Sequence, residues 1–130
     1  MRWSVVLLVL LAGCGNHDVV VPARCTDSVK VMKAAVARSA PLDDCFKHAA
    51  GAADVQTLGA IVIETAHELA DRVRTAPHSR AASELGYLVG VVRRDAKGVH
   101  YETGRRVEQE LIGVPTNTPE FRSGLERGLR

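Results

Sequence analysis

Three short stretches of this chain group side chains able to do chemistry. Cys45-Phe46-Lys47-His48 sets a thiol and an imidazole one helical turn apart, two of the four ligands that a structural zinc ion takes. Glu64-Thr65-Ala66-His67 has the Glu-x-x-His spacing with which helical bundles hold paired iron ions. His100-Tyr101-Glu102 stands beside Arg105 and Arg106, and with Arg93, Arg94 and Lys97 these would make a cationic edge for an anionic lipid headgroup or an acidic envelope polymer.

Each stretch also has a plainer reading. Only Cys25 and His17 could complete a metal site at Cys45 and His48. At about 100° per residue, Glu64, His67 and Asp71 fall opposite the apolar stripe of their helix, which is a solvated face and not an inward ligand set. Asp95, Glu102, Glu108 and Glu110 interleave with the cations, as they would where two charged helix ends meet. The sequence has no Gly-x-Ser-x-Gly, His-Glu-x-x-His, phosphate-binding glycine loop or haem-attachment motif. No residue is therefore assigned a catalytic role, and no cofactor or metal is implied. The runner-up reading is a small enzyme or metal binder that uses His100 and Glu102, or Cys45 and His48.

The elements that must position these groups belong to one small domain. The chain has 130 residues, 46% of them hydrophobic, with 17 Lys+Arg against 15 Asp+Glu, so no charge excess points to nucleic acid. From Asp27 onward the apolar spacing is helical, without the alternation of strands. The expected fold is all-α, a small antiparallel bundle of five or six helices. They are expected over 27–38, 43–50, 54–75 with Asp54 as N-cap, 79–94 and 99–112, the last opening at Thr118-Pro119-Glu120. Predicted core positions include Met32, Val36, Cys45, Phe46, Val55, Leu58, Val62, Leu69, Leu85, Leu88, Val99, Val107 and Leu111, with Phe121, Leu125 and Leu129 on one stripe. Ala82, Gly86 and Gly90 form a strip without bulky side chains. It either packs within the chain or serves as a homodimer seam.

The N-terminus carries an address. Residues 5–12 are eight consecutive apolar residues after Arg2 and Trp3, far short of the roughly 20 that span a bilayer but suited to an export signal. Leu11-Ala12-Gly13-Cys14 closes the run and resembles the lipobox of bacterial lipoproteins. The resemblance implies cleavage before Cys14, acyl chains such as palmitate on that residue, and a mature protein anchored to a membrane without spanning it. Gly15, not Asp, follows, which in the enterobacterial kind directs a lipoprotein to the outer membrane, on its periplasmic side. The resulting division is a signal peptide over 1–13, a lipidated tether over 14–24 and a helical domain over 25–130.

Setting Cys14 aside leaves Cys25 and Cys45, an even pair in a chain expected to leave the cytoplasm. A disulfide between them, stapling the bundle, is the expectation; it requires 39–44 to run back along the preceding helix, and a metal site or two free thiols are the other uses of the pair. The sequence reading is an envelope lipoprotein acting as an accessory, binding or structural protein. Its expected partners are the membrane, an envelope protein and a second copy of itself, and nucleic acid is not among them.

Overall fold

The computed structural model describes residues 20–130; the expected export signal, Cys14 and most of the expected tether lie outside the described residues. The described residues form seven α-helices and no strand. These are α1 (Ala23–Thr26), α2 (Val29–Ala37), α3 (Asp43–His48), α4 (Ala52–Thr75), α5 (Arg80–Asp95), α6 (Tyr101–Glu110) and α7 (Pro119–Leu129), with a 3₁₀ turn at Gly98–His100. The all-α bundle with one Cys25–Cys45 disulfide is the expected fold class.

Local chemistry explains most boundaries. Ser28 caps α2 by accepting from the Val31 N–H at 3.2 Å, and Thr118 caps α7 by accepting from the Phe121 N–H at 3.2 Å, with Pro119 in the first turn. α4 starts earlier than expected: Gly51 is its N-cap, and Asp54 sits inside the first turn, where its charge favours the helix dipole. α1 also lies partly within the segment expected to be tether, and Val21 already packs on the core.

Helix α5 is the hub. From Ala81 to Val92 every residue except Ser83 and Glu84 is buried, the all-round burial of a central helix. Helix α4 lays Leu58, Val62, Ala66, Leu69 and Val73 against it in antiparallel sense, whereas Val55 is only half-buried. Helix α6 returns beside both α4 and α5, with Gly59 of α4 against Thr103, Gly104 near Ala96 and Arg93 bonded to Glu108.

The most extensive neighbour of α5 is α7, and this pair runs parallel. Ser83 and Gly86 face Phe121 and Gly124, while Tyr87 and Gly90 face Leu125 and Gly128 further along both helices. A methyl group at Gly124 would lie 2.0 Å from the Ser83 carbonyl oxygen, and one at Gly86 would lie 2.1 Å from that of Phe121. Backbone meets backbone here, the approach at which Cα–H···O contacts recur between helices.

Of the two alternatives for the strip of Ala82, Gly86 and Gly90, packing within the chain is the one observed: α7 covers Gly86 and Gly90, and Ala82 is buried. One expectation is corrected by the same packing. The core face of α7 is Phe121, Gly124 and Gly128; Leu125 is half-buried, and Leu129 is 46% exposed. Only glycine permits so close a crossing, and this turns the leucines aside.

The disulfide ties α1 to α3 with Cα atoms 5.4 Å apart. The return path needed for it begins at Ser39, whose φ of 50° closes α2 in left-handed conformation while the Ala40 N–H bonds back to the Ala35 carbonyl. Ala40 in turn accepts from the Tyr87 hydroxyl, which pins the returning strand of chain to α5.

Candidate functional site

Two hollows with polar rims meet at the corner where α5 gives way to the 3₁₀ turn. Gly98, at φ 58°, supplies the left-handed residue that bends the chain there, and the turn drives His100 inward. The imidazole is 2% exposed. Its Nε2 donates to the Phe46 carbonyl oxygen at 2.9 Å, and its ring meets the Phe46 ring edge-on, with centroids 5.2 Å apart. A carbonyl only accepts, so Nε2 carries the proton. Nδ1 is buried and has no hydrogen-bond partner.

Above this pair lies a hollow of about 430 Å³ bordered by Asp43 and Lys47 of α3, Asp95 at the end of α5, Lys97 just beyond it, and Val99. A second hollow of about 510 Å³ shares Asp43 and Asp95 and adds Tyr87, Arg94 and Arg130. Burial pushes the Tyr87 phenol above its ordinary range.

The sequence-derived candidates are redistributed by this geometry. Cys45 is consumed by its bond to Cys25, so the Cys45/His48 metal pair does not form; His48 is half-buried, with Nδ1 unpartnered. His100 and Glu102 also part, because His100 turns into the core while Glu102 is exposed and bonded to Arg105 at 2.6 and 2.9 Å. The bond to Arg105 holds the Glu102 carboxyl below its ordinary range. Among the described residues no cluster of three or more His, Cys, Asp and Glu could hold a metal ion.

The cationic edge is likewise divided. Arg93 is bonded to Glu108 at 2.7 and 3.1 Å, Arg94 to Asp95 at 2.9 and 2.7 Å, and Arg106 faces Glu102 at 3.6 Å. Lys97 alone of the five has no carboxylate within ion-pair distance among the described residues. Arg94 and Lys97 border the paired hollows, whereas Arg93 and Arg105 line a separate groove of about 310 Å³ with Tyr101 and Gly104. Tyr87 and Asp43 were not among the candidates, because a tyrosine inside an apolar helix and an acid in a helix's first turn carry no distinguishing pattern.

Glu64, His67 and Asp71 lie on the exposed face of α4. His67 Nδ1 is 2.9 Å from Glu110 on α6, and Nε2 is 3.5 Å from Asp71. The hydrogen bond to Glu110, then the charges of Asp71 and Glu110, raise its pKa above the ordinary 6.5. A raised folded-state pKa means that the pair stabilises the fold fully below 6.5 and that this gain fades as pH rises through the higher value. His67→Gln is therefore expected to cost stability at the acid end and little at the alkaline end. Urea unfolding of both proteins from about pH 6 to 8.5 checks this; a difference that grows with pH would contradict it.

Compared with protein-family models, with curated proteins and with solved structures, the chain matches none.

Proposed function

We propose that this chain is a bacterial envelope lipoprotein, anchored by acyl chains on Cys14, whose helical domain acts as an accessory or binding protein. The observation that carries the reading is Leu11-Ala12-Gly13-Cys14 directly after a short apolar run. Two features support it. A Cys25–Cys45 bridge belongs to oxidising compartments such as the periplasm. No helix among the described residues is long and apolar enough to cross a membrane, and a lipid anchor on Cys14 needs none. Chains on one residue suffice, because each buried CH₂ contributes about 0.8 kcal/mol and two or more chains make the attachment durable.

Binding, not catalysis, is favoured by the state of the reactive groups. Both described thiols are joined, and Arg93, Arg94 and Arg105 are each held by a carboxylate. The periplasmic face of the outer membrane is the proposed location, since Gly15 stands where an inner-membrane lipoprotein of the enterobacterial kind has Asp.

Mass spectrometry of the protein from its native cell tests the reading. The expected mature chain starts at Cys14 and carries a diacylglyceryl group and an amide-linked acyl chain. Cys14→Ala is expected to abolish incorporation of labelled palmitate. An unmodified Cys14 thiol with the leader still attached would overturn the proposal.

A further inference from the structure

Among the described residues, large apolar side chains left exposed are few, and they are unevenly placed. Val99 is 64% and Tyr101 68% exposed, on either side of buried His100, and Leu129 is 46% exposed at the end of α7. Because α7 parallels α5, Leu129 and Arg130 finish at the same end of the bundle as the 3₁₀ corner, and Arg130 shares a hollow with Arg94. Ile112, 75% exposed, lies at the opposite end.

The same end is tied to the anchored segment. Cys25 of α1 is bonded to Cys45 of α3, and the next residue, Phe46, holds His100 of the corner. From Cys14 to Val20 the chain can reach at most about 20 Å. Val20 itself is 80% exposed just before α1. A lipid on Cys14 therefore keeps this end close to the bilayer. The charge there suits an anionic surface. Lys47 and Lys97 border the hollow beside Val99, Asp95 is neutralised by Arg94, and Glu102 is outnumbered by Arg105 and Arg106. Asp43 is the acid left on that rim.

We propose that the corner formed by Lys97, Val99 and Tyr101, with Lys47 beside it, rests on the surface of an anionic phospholipid bilayer. The aromatic and aliphatic side chains enter the headgroup layer, and the ammonium groups meet lipid phosphates. This inference rests on the lipid-anchor reading, and its test separates the two.

The protein carries its own probe. Of its two tyrosines, Tyr87 is 6% exposed and Tyr101 68%, and its single tryptophan, Trp3, precedes Cys14 and leaves with the signal peptide. The lipidated mature protein is reconstituted into vesicles of phosphatidylglycerol or of phosphatidylcholine, and acrylamide quenching of tyrosine fluorescence is measured. The expected result is quenching several-fold weaker on phosphatidylglycerol, with the protection lost in a Lys47→Glu, Lys97→Glu variant. Equal quenching on both lipids, in a sample whose mass shows the acyl chains, overturns this inference and leaves the anchor standing. Equal quenching that weakens only when envelope proteins are restored assigns the corner to a protein partner and overturns the bilayer contact. A sample without acyl chains overturns both readings.

Discussion

Alanine at Gly124 is expected to destabilise the domain by about 3 kcal/mol or more, the upper range for forcing a larger residue into a packed site. In an unencumbered helix the same change stabilises by up to about 1 kcal/mol, because alanine is the better helix former. The sign here reverses because of what the new methyl group meets. It would lie 2.0 Å from the Ser83 carbonyl oxygen and 2.9 Å from the Tyr87 nitrogen, both backbone atoms of the buried central helix. No rotamer change relieves such a contact, so α7 must lift from α5 along its length. Gly104→Ala is the internal control. Its methyl group would meet Ala96 at 3.4 Å, an ordinary contact, so the expected effect is neutral or slightly stabilising. Urea unfolding of the two variants checks the pair. If Gly124→Ala were no less stable than Gly104→Ala, the backbone-to-backbone packing of α5 and α7 would be refuted.

The second large effect is expected from Cys25→Ala combined with Cys45→Ala. The bridge closes a loop with a sequence separation of 20, for which the chain-entropy account gives about 3 kcal/mol. Both residues are fully buried, so the exchange also removes packing between α1 and α3. Reducing agent added to the unaltered protein should reproduce most of the loss and should leave the double variant unaffected. A double variant as stable as the parent would show that the bridge adds nothing to the fold. The consequence reaches the candidate site, because α3 carries Phe46, on which His100 is hydrogen-bonded.

Periodicity in the sequence marked α4 and α5 well, because long helices with a buried stripe repeat their apolar residues every three or four positions. Cysteine counting, taken with an expected export signal, was enough to pair Cys25 with Cys45. What periodicity misses is packing without side chains. Gly124 and Gly128 add nothing to a hydrophobic pattern, so the pattern alone puts Leu125 and Leu129 on the inner face of α7. The 3₁₀ corner was hidden for a related reason. A valine and a histidine side by side suggest that the valine goes inside, yet Val99 is exposed and His100 buried. The Phe46 carbonyl, distant in sequence, satisfies the imidazole and reverses that order. Pairing of the arginines was legible only as interleaved charge, and which carboxylate held which guanidinium required the fold.

The parallel crossing of α5 and α7 also dictates an order of assembly. Helices α4 and α5 are joined by a four-residue link and form a hairpin as soon as both have emerged, but the glycine face of α5 stays bare until residue 128 is available to cover it. A chain that emerges from its N-terminus thus carries an uncovered strip of backbone on its central helix until nearly the last of these residues has appeared. During that interval another chain in the same state has the matching helix to offer, which makes exchange of α7 between copies the characteristic hazard of this topology.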